Sequence, residues 1–241
     1  MSRAMRTILP ALVAALVLGG CITISTGDEP AATETEQAGT PDASEGSSVE
    51  GSGRVETEER EVSGFDRISF SGAGDLFVEQ AGEESLTIEA EDNLLPLLTS
   101  EVSDGRLILG VRPNSSISST RPIIFRVTVR SLRGVEASGS GSVNASGLDV
   151  PELQVTTSGA VKSAFSGVAD AQQIDVSGTS RFDGRGLAGQ TASVRSSGTA
   201  EVVVNVSEEL SIVADGTAVV RYTGTPQVTR QLSGLARVEK L

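Results

Sequence analysis

From residue 135 onward a Ser-Gly or Asp-Gly pair returns at nearly constant spacing, which restricts the chain to folds built from short stacked units. The pairs are Ser138-Gly139, Ser158-Gly159, Ser177-Gly178, Ser197-Gly198, Asp215-Gly216 and Ser233-Gly234, with glycines 20, 19, 20, 18 and 18 residues apart. A second glycine follows eight residues on in four units, at Gly147, Gly167, Gly186 and Gly224, while the fourth unit carries Val206 there. A unit of this size has no core of its own and buries its apolar face only against its neighbours. Four residues before the first glycine stand Val135, Val155, Ile174, Val194 and Ile212. Four residues after it stand Val143, Ser163, Phe182, Val202, Val220 and Val238, and one step earlier Ser142, Lys162, Arg181, Glu201, Val219 and Arg237. Apolar residues thus take even offsets and mostly polar ones odd offsets, the period of a strand with one buried face. The glycines suit corners, where positive φ or close backbone approach is needed. The expectation is an all-β solenoid with about one coil of 18–20 residues per repeat.

One further copy lies well upstream. Phe65–Leu76 matches Leu132–Val143 position for position in residue type, including Ser71-Gly72 against Ser138-Gly139. Between the copies, Val102-Ser103-Asp104-Gly105-Arg106-Leu107 reads as a hairpin turn, and Ile123–Arg130 as a strand. Residues 55–131 are expected to form a less regular β portion capping the repeats of 132–241, as terminal units usually do. Only 3% of residues are aromatic and 27 are glycine, which fits a core of small and branched side chains.

The N-terminus carries a different signal. Arg3 and Arg6 precede an apolar run, Ile8–Leu18, of signal-peptide length and too short to span a bilayer. It ends in Leu18-Gly19-Gly20-Cys21, which resembles the bacterial lipobox and implies cleavage after residue 20 and lipid on Cys21, the chain's only cysteine. Two or more acyl chains anchor a protein stably. The expected site is the outer membrane of a Gram-negative cell, or the outer face of a Gram-positive cytoplasmic membrane. Residues 21–54 are rich in Ser, Thr, Gly, Pro and acid, and are expected to form a disordered tether.

The residues quoted above bear a resemblance to a known family. The Phe-Asp-Arg-Ile-Ser-Phe-Ser-Gly opening at 65–72, Asn93-Leu94-Leu95 with the Asp104-Gly105 hairpin after it, the serial Ser-Gly units and Tyr222-Thr223-Gly224-Thr225-Pro226 resemble the bacterial head GIN family of auto-transporter adhesins. The likeness covers about residues 55–241. It implies a right-handed parallel β-helix on a secreted or lipid-anchored protein, and it brings no defined active site. Asp215 in place of Ser, and Leu235-Ala236 in the last unit, depart from the pattern.

The formal charge of −13 and a pI near 4.5 argue against nucleic acid and against anionic lipid as partners. With no His and no thiol beyond Cys21, nucleophilic triads and most zinc sites have no ligands to work with. Paired carboxylates remain conceivable, since polysaccharide-cleaving enzymes can act with acids alone. The candidates are Asp175 and Asp183 with Arg181 and Arg185; the plainer reading is a solvated face with pairs such as Lys162 and Arg181 near Glu201. No aromatic is apparent that would stack on a sugar. Asp66 and Asp75 are the acids that Ca²⁺ could meet, but the regular spacing of a calcium roll is missing. Stacked Ser138, Ser158, Ser177 and Ser197 are expected to hydrogen-bond at corners. No catalytic residue, metal or cofactor is expected. The expected role is a non-enzymatic, lipid-anchored envelope protein that presents its β-solenoid for adhesion or binding, with an envelope protein or a glycan as partner. The alternatives are a structural or stress-sensing module working through a protein partner and a carbohydrate-active enzyme. An exposed apolar stripe would favour a protein partner, and a cleft with convergent carboxylates the enzyme.

Overall fold

The computed structural model describes residues 48–241; Cys21, the signal segment and most of the expected tether lie outside them. The described chain is all-β apart from one short 3-10 turn, Leu95–Leu97. Its strands are β1 Ser48–Glu50, β2 Val55–Arg60, β3 Arg67–Gln80, β4 Ser85–Glu91, β5 Leu98–Ser103, β6 Arg106–Val111, β7 Ser116–Ser118 and β8 Ile124–Val129. The repeat region adds β9 Gly134–Thr157, β10 Ala160–Val176, β11 Arg181–Ser196, β12 Glu201–Ala214, β13 Val219–Thr223, β14 Gln227–Leu232 and β15 Arg237–Lys240. One large sheet runs in the order β15-β13-β12-β11-β10-β9-β3-β8-β4-β2, with β14 on β12, β6 on β3 and β5 on β6, and it does not close on itself.

The repeat pairing follows the columns read from the sequence. β9, β10, β11 and β12 pair in parallel, aligning Val155, Ile174, Val194 and Ile212, and each of these is fully buried. Val143, Ser163, Phe182, Val202 and Val220 are buried in the same way, whereas Lys162, Arg181 and Arg237 are exposed. The upstream copy pairs directly with its counterpart, Ile68 against Val135 and Leu76 against Val143. Phe165 stacks on Phe182 at 5.3 Å between ring centres, inside the repeat core.

A straight strand the length of β9 would reach roughly 80 Å. Instead it turns at Gly139 (φ 99°), Gly141 (φ 153°) and Gly147 (φ 69°). Its buried residues fall in groups, Val143 and Ala145, then Leu148 and Val150, then Leu153 and Val155. The step of three between groups swings the chain while keeping apolar side chains on one side. The segments at its ends meet: the Gln154 N–H donates to the Arg133 carbonyl and the Ser158 N–H to the Ala137 carbonyl, both at 2.9 Å.

Glycine is required at these corners. Gly72, Gly139, Gly159, Gly178, Gly198, Gly216 and Gly234 all have φ between 68° and 127°. A Cβ on Gly159 or Gly178 would stand 2.5 Å from the carbonyl oxygen of the preceding glycine in the column, and one on Gly198, Gly216 or Gly234 at 2.6–2.7 Å.

The 55–131 portion mixes directions. β2, β4 and β8 are antiparallel, and β5 and β6 form the expected hairpin, with Asp104 (φ 50°) and Gly105 (φ 73°) at its turn. The tether requires a correction, because the ordered chain begins within 21–54: β1 pairs in parallel with β7, Ser48 against Ser116 and Glu50 against Ser118. Polar composition predicted disorder there, and side chains some forty residues away impose order.

Gly64 and Gly178 separate two costs. Both have φ near 77°, but a Cβ on Gly64 meets nothing within 4 Å, while one on Gly178 meets the Gly159 carbonyl. Gly64→Ala should lose about 1 kcal/mol from strain alone, and Gly178→Ala more than about 2 kcal/mol. Chemical denaturation of both variants checks the difference.

Candidate binding face

The position one step past the buried column forms a continuous outer row. Five residues after the corner glycines stand Phe77, Asn144, Ala164, Asp183, Val203, Arg221 and Glu239. Each is paired with the next across β3, β9, β10, β11, β12, β13 and β15. Arg126, Thr87 and Glu59 extend the row over β8, β4 and β2. Pleating sends the neighbouring core residues inward and this row outward, where all but the buried Val203 reach solvent at least in part. Phe77 is 38% exposed, and the Arg126 guanidinium lies over its ring at 5.3 Å. The sequence reading found no aromatic placed for stacking, because its comparison of copies stopped at Leu76. Extending it by one residue places Phe77 in the outward column.

Two adjoining depressions mark the middle of this face. One, of about 450 Å³, lies between Phe77, Arg126, Thr128, Ser85 and Asn144. The other, of about 360 Å³, lies between Asn144, Ser146, Ala164, Ser166, Asp183 and Arg185. They meet at Asn144 and Ser146, and the two together are termed the trough. Its floor is low because Asn144, Ser146, Ala164 and Ser166 are small. Its far wall is set by an irregularity: the pairing of β11 with β12 shifts register between Asp183 and Ala188, and again between Gly189 and Thr191, which absorbs a shorter unit. Arg185 lies in that break and turns back onto Asp183, donating from Nε to Oδ1 at 3.0 Å. Breaks of this kind re-aim side chains. The Arg185 side chain, with its backbone N–H, holds the Asp183 carboxyl below its usual range.

The proposed carboxylate pair does not assemble. Asp175 sits in a separate column, between Thr156 and Arg195, with the Arg195 guanidinium at 3.7 Å. Asp183 is held by Arg185. Arg181 pairs with Glu201, as the surface reading expected, and Arg221 bridges Glu201 to Glu239 in a run of alternating charge. Asp66 faces Arg133 at 3.5 Å, and Asp75 accepts from the Ser142 hydroxyl at 2.6 Å. Among the described residues no group of three His, Cys, Asp or Glu is placed to hold a metal ion. Of the four serines expected to bond at corners, Ser177 donates to the Thr157 carbonyl, while Ser138, Ser158 and Ser197 make no side-chain hydrogen bond among the described residues; Ser233 donates to Asp215, and Thr179 and Thr217 bond one residue past their glycines. Exposed apolar residues are scattered at Ile108, Val168 and Val213, with Leu232, Leu235 and Leu241 in the last unit.

A second cluster, at the start of the domain, was not visible in the sequence. Glu91 is fully enclosed, and its carboxylate accepts from the Thr120 hydroxyl (2.6 Å), the Thr120 N–H (3.0 Å), the Gly53 N–H (2.7 Å) and the Ser119 hydroxyl (3.1 Å). Gly51 lies so close that a Cβ there would overlap this carboxylate. Asp92 takes the Arg54 guanidinium and the Ser52 hydroxyl. Asn93 accepts from the Ser52 N–H at 2.9 Å and donates to the Glu50 carbonyl at 2.7 Å. Glu91-Asp92-Asn93 therefore latches 50–54 onto the sheet.

The family profile described as putative auto-transporter adhesin, head GIN domain, matches residues 64–226. The chain belongs to this family. The head GIN match spans both the capping portion and most of the repeats. Among solved structures, a putative adhesin from Bacteroides fragilis is 19% identical with a TM-score of 0.63, covering 80% of this chain and 100% of its own. A putative adhesin from Parabacteroides merdae is 19% identical with a TM-score of 0.53, covering 80% and 98%. A protein from Parabacteroides distasonis described as a putative lipid binding protein is 20% identical with a TM-score of 0.52, covering 81% and 100%. At these identities the likeness is one of fold. Among curated proteins none matches.

The latch predicts a pH signature. Hydrogen bonding, first from the Thr120 hydroxyl and then from the Gly53 and Thr120 N–H groups and Ser119, outweighs burial and lowers the Glu91 pKa from 4.5 to about 2. A carboxyl with a depressed folded pKa contributes stability above its unfolded pKa, and that contribution is lost as pH falls through the folded value. Glu91→Gln should therefore melt below wild type at neutral pH, and the gap should narrow between pH 4.5 and about 2. Paired thermal melts across that range check the sign.

Proposed function

We propose that the protein is a non-enzymatic, adhesin-like module of the cell envelope, carried outside the membrane by lipid on Cys21 and presenting its outer sheet face to a binding partner. The observation that carries this reading is the outer row itself, continuous from Glu59 to Glu239 across ten strands. Charges on the row and on the outward column beside it are neutralised in local pairs such as Asp183–Arg185 and Arg181–Glu201. Catalysis by two carboxylates needs acids converging on one bond, whereas each acid proposed for that role here is held by its own guanidinium. Family membership supports the same conclusion and a cell-surface location.

The body that presents this face is read as a right-handed parallel β-helix. Support comes from the parallel register at steps of 18–20 residues and from the hydrogen bonds between the two ends of β9. Residues 21–47 then serve as the tether, with Glu91-Asp92-Asn93 fastening its end to the fold.

Two measurements test the proposal in bacteria producing the full chain. Metabolic labelling with a radioactive fatty acid should mark the wild type and not Cys21→Ser, with the variant lost from the membrane fraction. Cells displaying the wild type should adhere to host matrix or to neighbouring cells more than cells carrying Cys21→Ser. Equal label on both proteins contradicts the anchor, and equal adhesion contradicts the adhesin-like role.

A further inference from the structure

We infer that the trough between Phe77 and Asp183 binds a neutral oligosaccharide lying across the strands; the inference rests on the adhesin-like reading and adds to it a site and a ligand class. Three features of the site select that chemistry.

The first is the lack of a free strand edge. Between Phe77 and Asp183 the trough crosses β3, β9, β10 and β11, each flanked by its neighbours in the sheet, with irregularities in the pairing only around Ser166 and Arg185. A peptide recognised by strand addition needs unpaired backbone groups, and here recognition falls to side chains. The second is charge. Arg185 is matched by Asp183, and Arg126, stacked on Phe77, has Glu79 in the same depression. The site offers no excess cation for a phosphate or sulfate chain and no excess anion for a basic peptide. The third is the kind of group presented. Asn144, Ser146 and Ser166 supply an amide and hydroxyls along the floor, and Phe77 supplies an aromatic surface at one end. A pyranose has hydroxyls around its rim and an apolar C–H face, so it meets both kinds of group at once. The Asn144 amide N–H donates to the Ser142 hydroxyl and the Ser166 hydroxyl to the Ala145 carbonyl, so an acyl chain would cover the Asn144 carbonyl oxygen and the Ser146 hydroxyl without giving them a partner, at a cost.

The geometry fits a short rod. From β3 to β11 is three strand spacings, about 14 Å. Ala164 keeps the midpoint open, since any larger side chain in its outward position would divide the trough. Phe77 and Asp183–Arg185 stand at the two ends of this stretch, and beyond Phe77 the depression continues to Arg126, Thr128 and Ser85.

The test uses the purified full chain in detergent, titrated calorimetrically with maltohexaose, xylohexaose, mannohexaose and the hexamer of N-acetylglucosamine. Dextran sulfate serves as the anionic probe. At least one neutral hexamer should bind. Phe77→Ala should weaken it at least about tenfold, and Ala164→Trp should abolish it by filling the floor. Lys162→Ala, on the same face but outside the trough, should leave binding unchanged. Both Phe77 and Ala164 are exposed, and melts of the variants confirm that they fold. Binding by none of the four hexamers, binding of dextran sulfate alone, or affinity indifferent to Phe77→Ala and Ala164→Trp overturns the inference. Cells displaying Ala164→Trp are scored for adhesion in parallel. Intact adhesion without glycan binding overturns the trough and leaves the adhesin-like role; glycan binding without adhesion by the wild type keeps the trough and removes that role.

Discussion

The corner glycines set the spacing of everything else. At each Ser-Gly or Asp-Gly corner of the repeats the chain turns with positive φ, and the bond that would carry Cβ points at the glycine carbonyl of the neighbouring unit. Only hydrogen fits there. Backbone stacks directly on backbone, and the flanking segments fall into parallel register with their apolar columns aligned. Burial then follows from alignment, because Val155, Ile174, Val194 and Ile212 cover one another along the sheet. A core made this way needs few aromatics, and the aromatics it has are concentrated at Phe70–Phe125 and Phe165–Phe182.

The same stacking generates the outer face. If units repeat in register, the residues one step past the buried column also form a row, whatever they are. Selection on that row is free to vary chemistry without disturbing the core. Along its middle stand a cation-stacked Phe77, then Asn144 and Ala164, then Asp183, which holds Arg185. The shorter fourth unit matters for the same reason: its register shift against β11 releases Arg185 from the ladder and lets it form the end wall. A change in unit length is thus converted into a local surface feature.

Most of the fold could be read from the sequence, and the reason is that its determinants are local and repeated. The Ser-Gly spacing, the Val/Ile columns and the Asp104-Gly105 turn each carry their meaning within a few residues. The upstream copy was legible for the same reason, down to the pairing of Ile68 with Val135. The start of the domain was not, because Ser48–Arg54 is polar and Gly-rich. Its order comes from Glu91, Asp92 and Asn93 about forty residues later, whose side chains satisfy its backbone. Composition senses the cost of ordering such a segment but not the remote groups that offset it. The trough fell between these cases. Its column was present in the sequence, but small residues such as Ala164 acquire significance only once Phe77 and Arg185 are seen to rise on either side.

The central claim is that the unit between corner glycines is the unit of structure, and removing one whole unit tests it most directly. Excising 178–197 joins Ser177 to Gly198 and keeps every remaining glycine over a glycine and every apolar column intact. Excising 178–187 from the same place removes half as many residues but takes out the corner Gly178 and the core Phe182 and throws Val194 out of its column. In an array with nearest-neighbour coupling the first deletion removes one unit and its interfaces, and the rest still folds. Thermal unfolding followed by circular dichroism should show a cooperative β transition for the twenty-residue deletion, and loss of that transition for the ten-residue one. If both deletions melt alike, or if the shorter deletion is the better tolerated, the glycine-to-glycine unit is not what organises this protein.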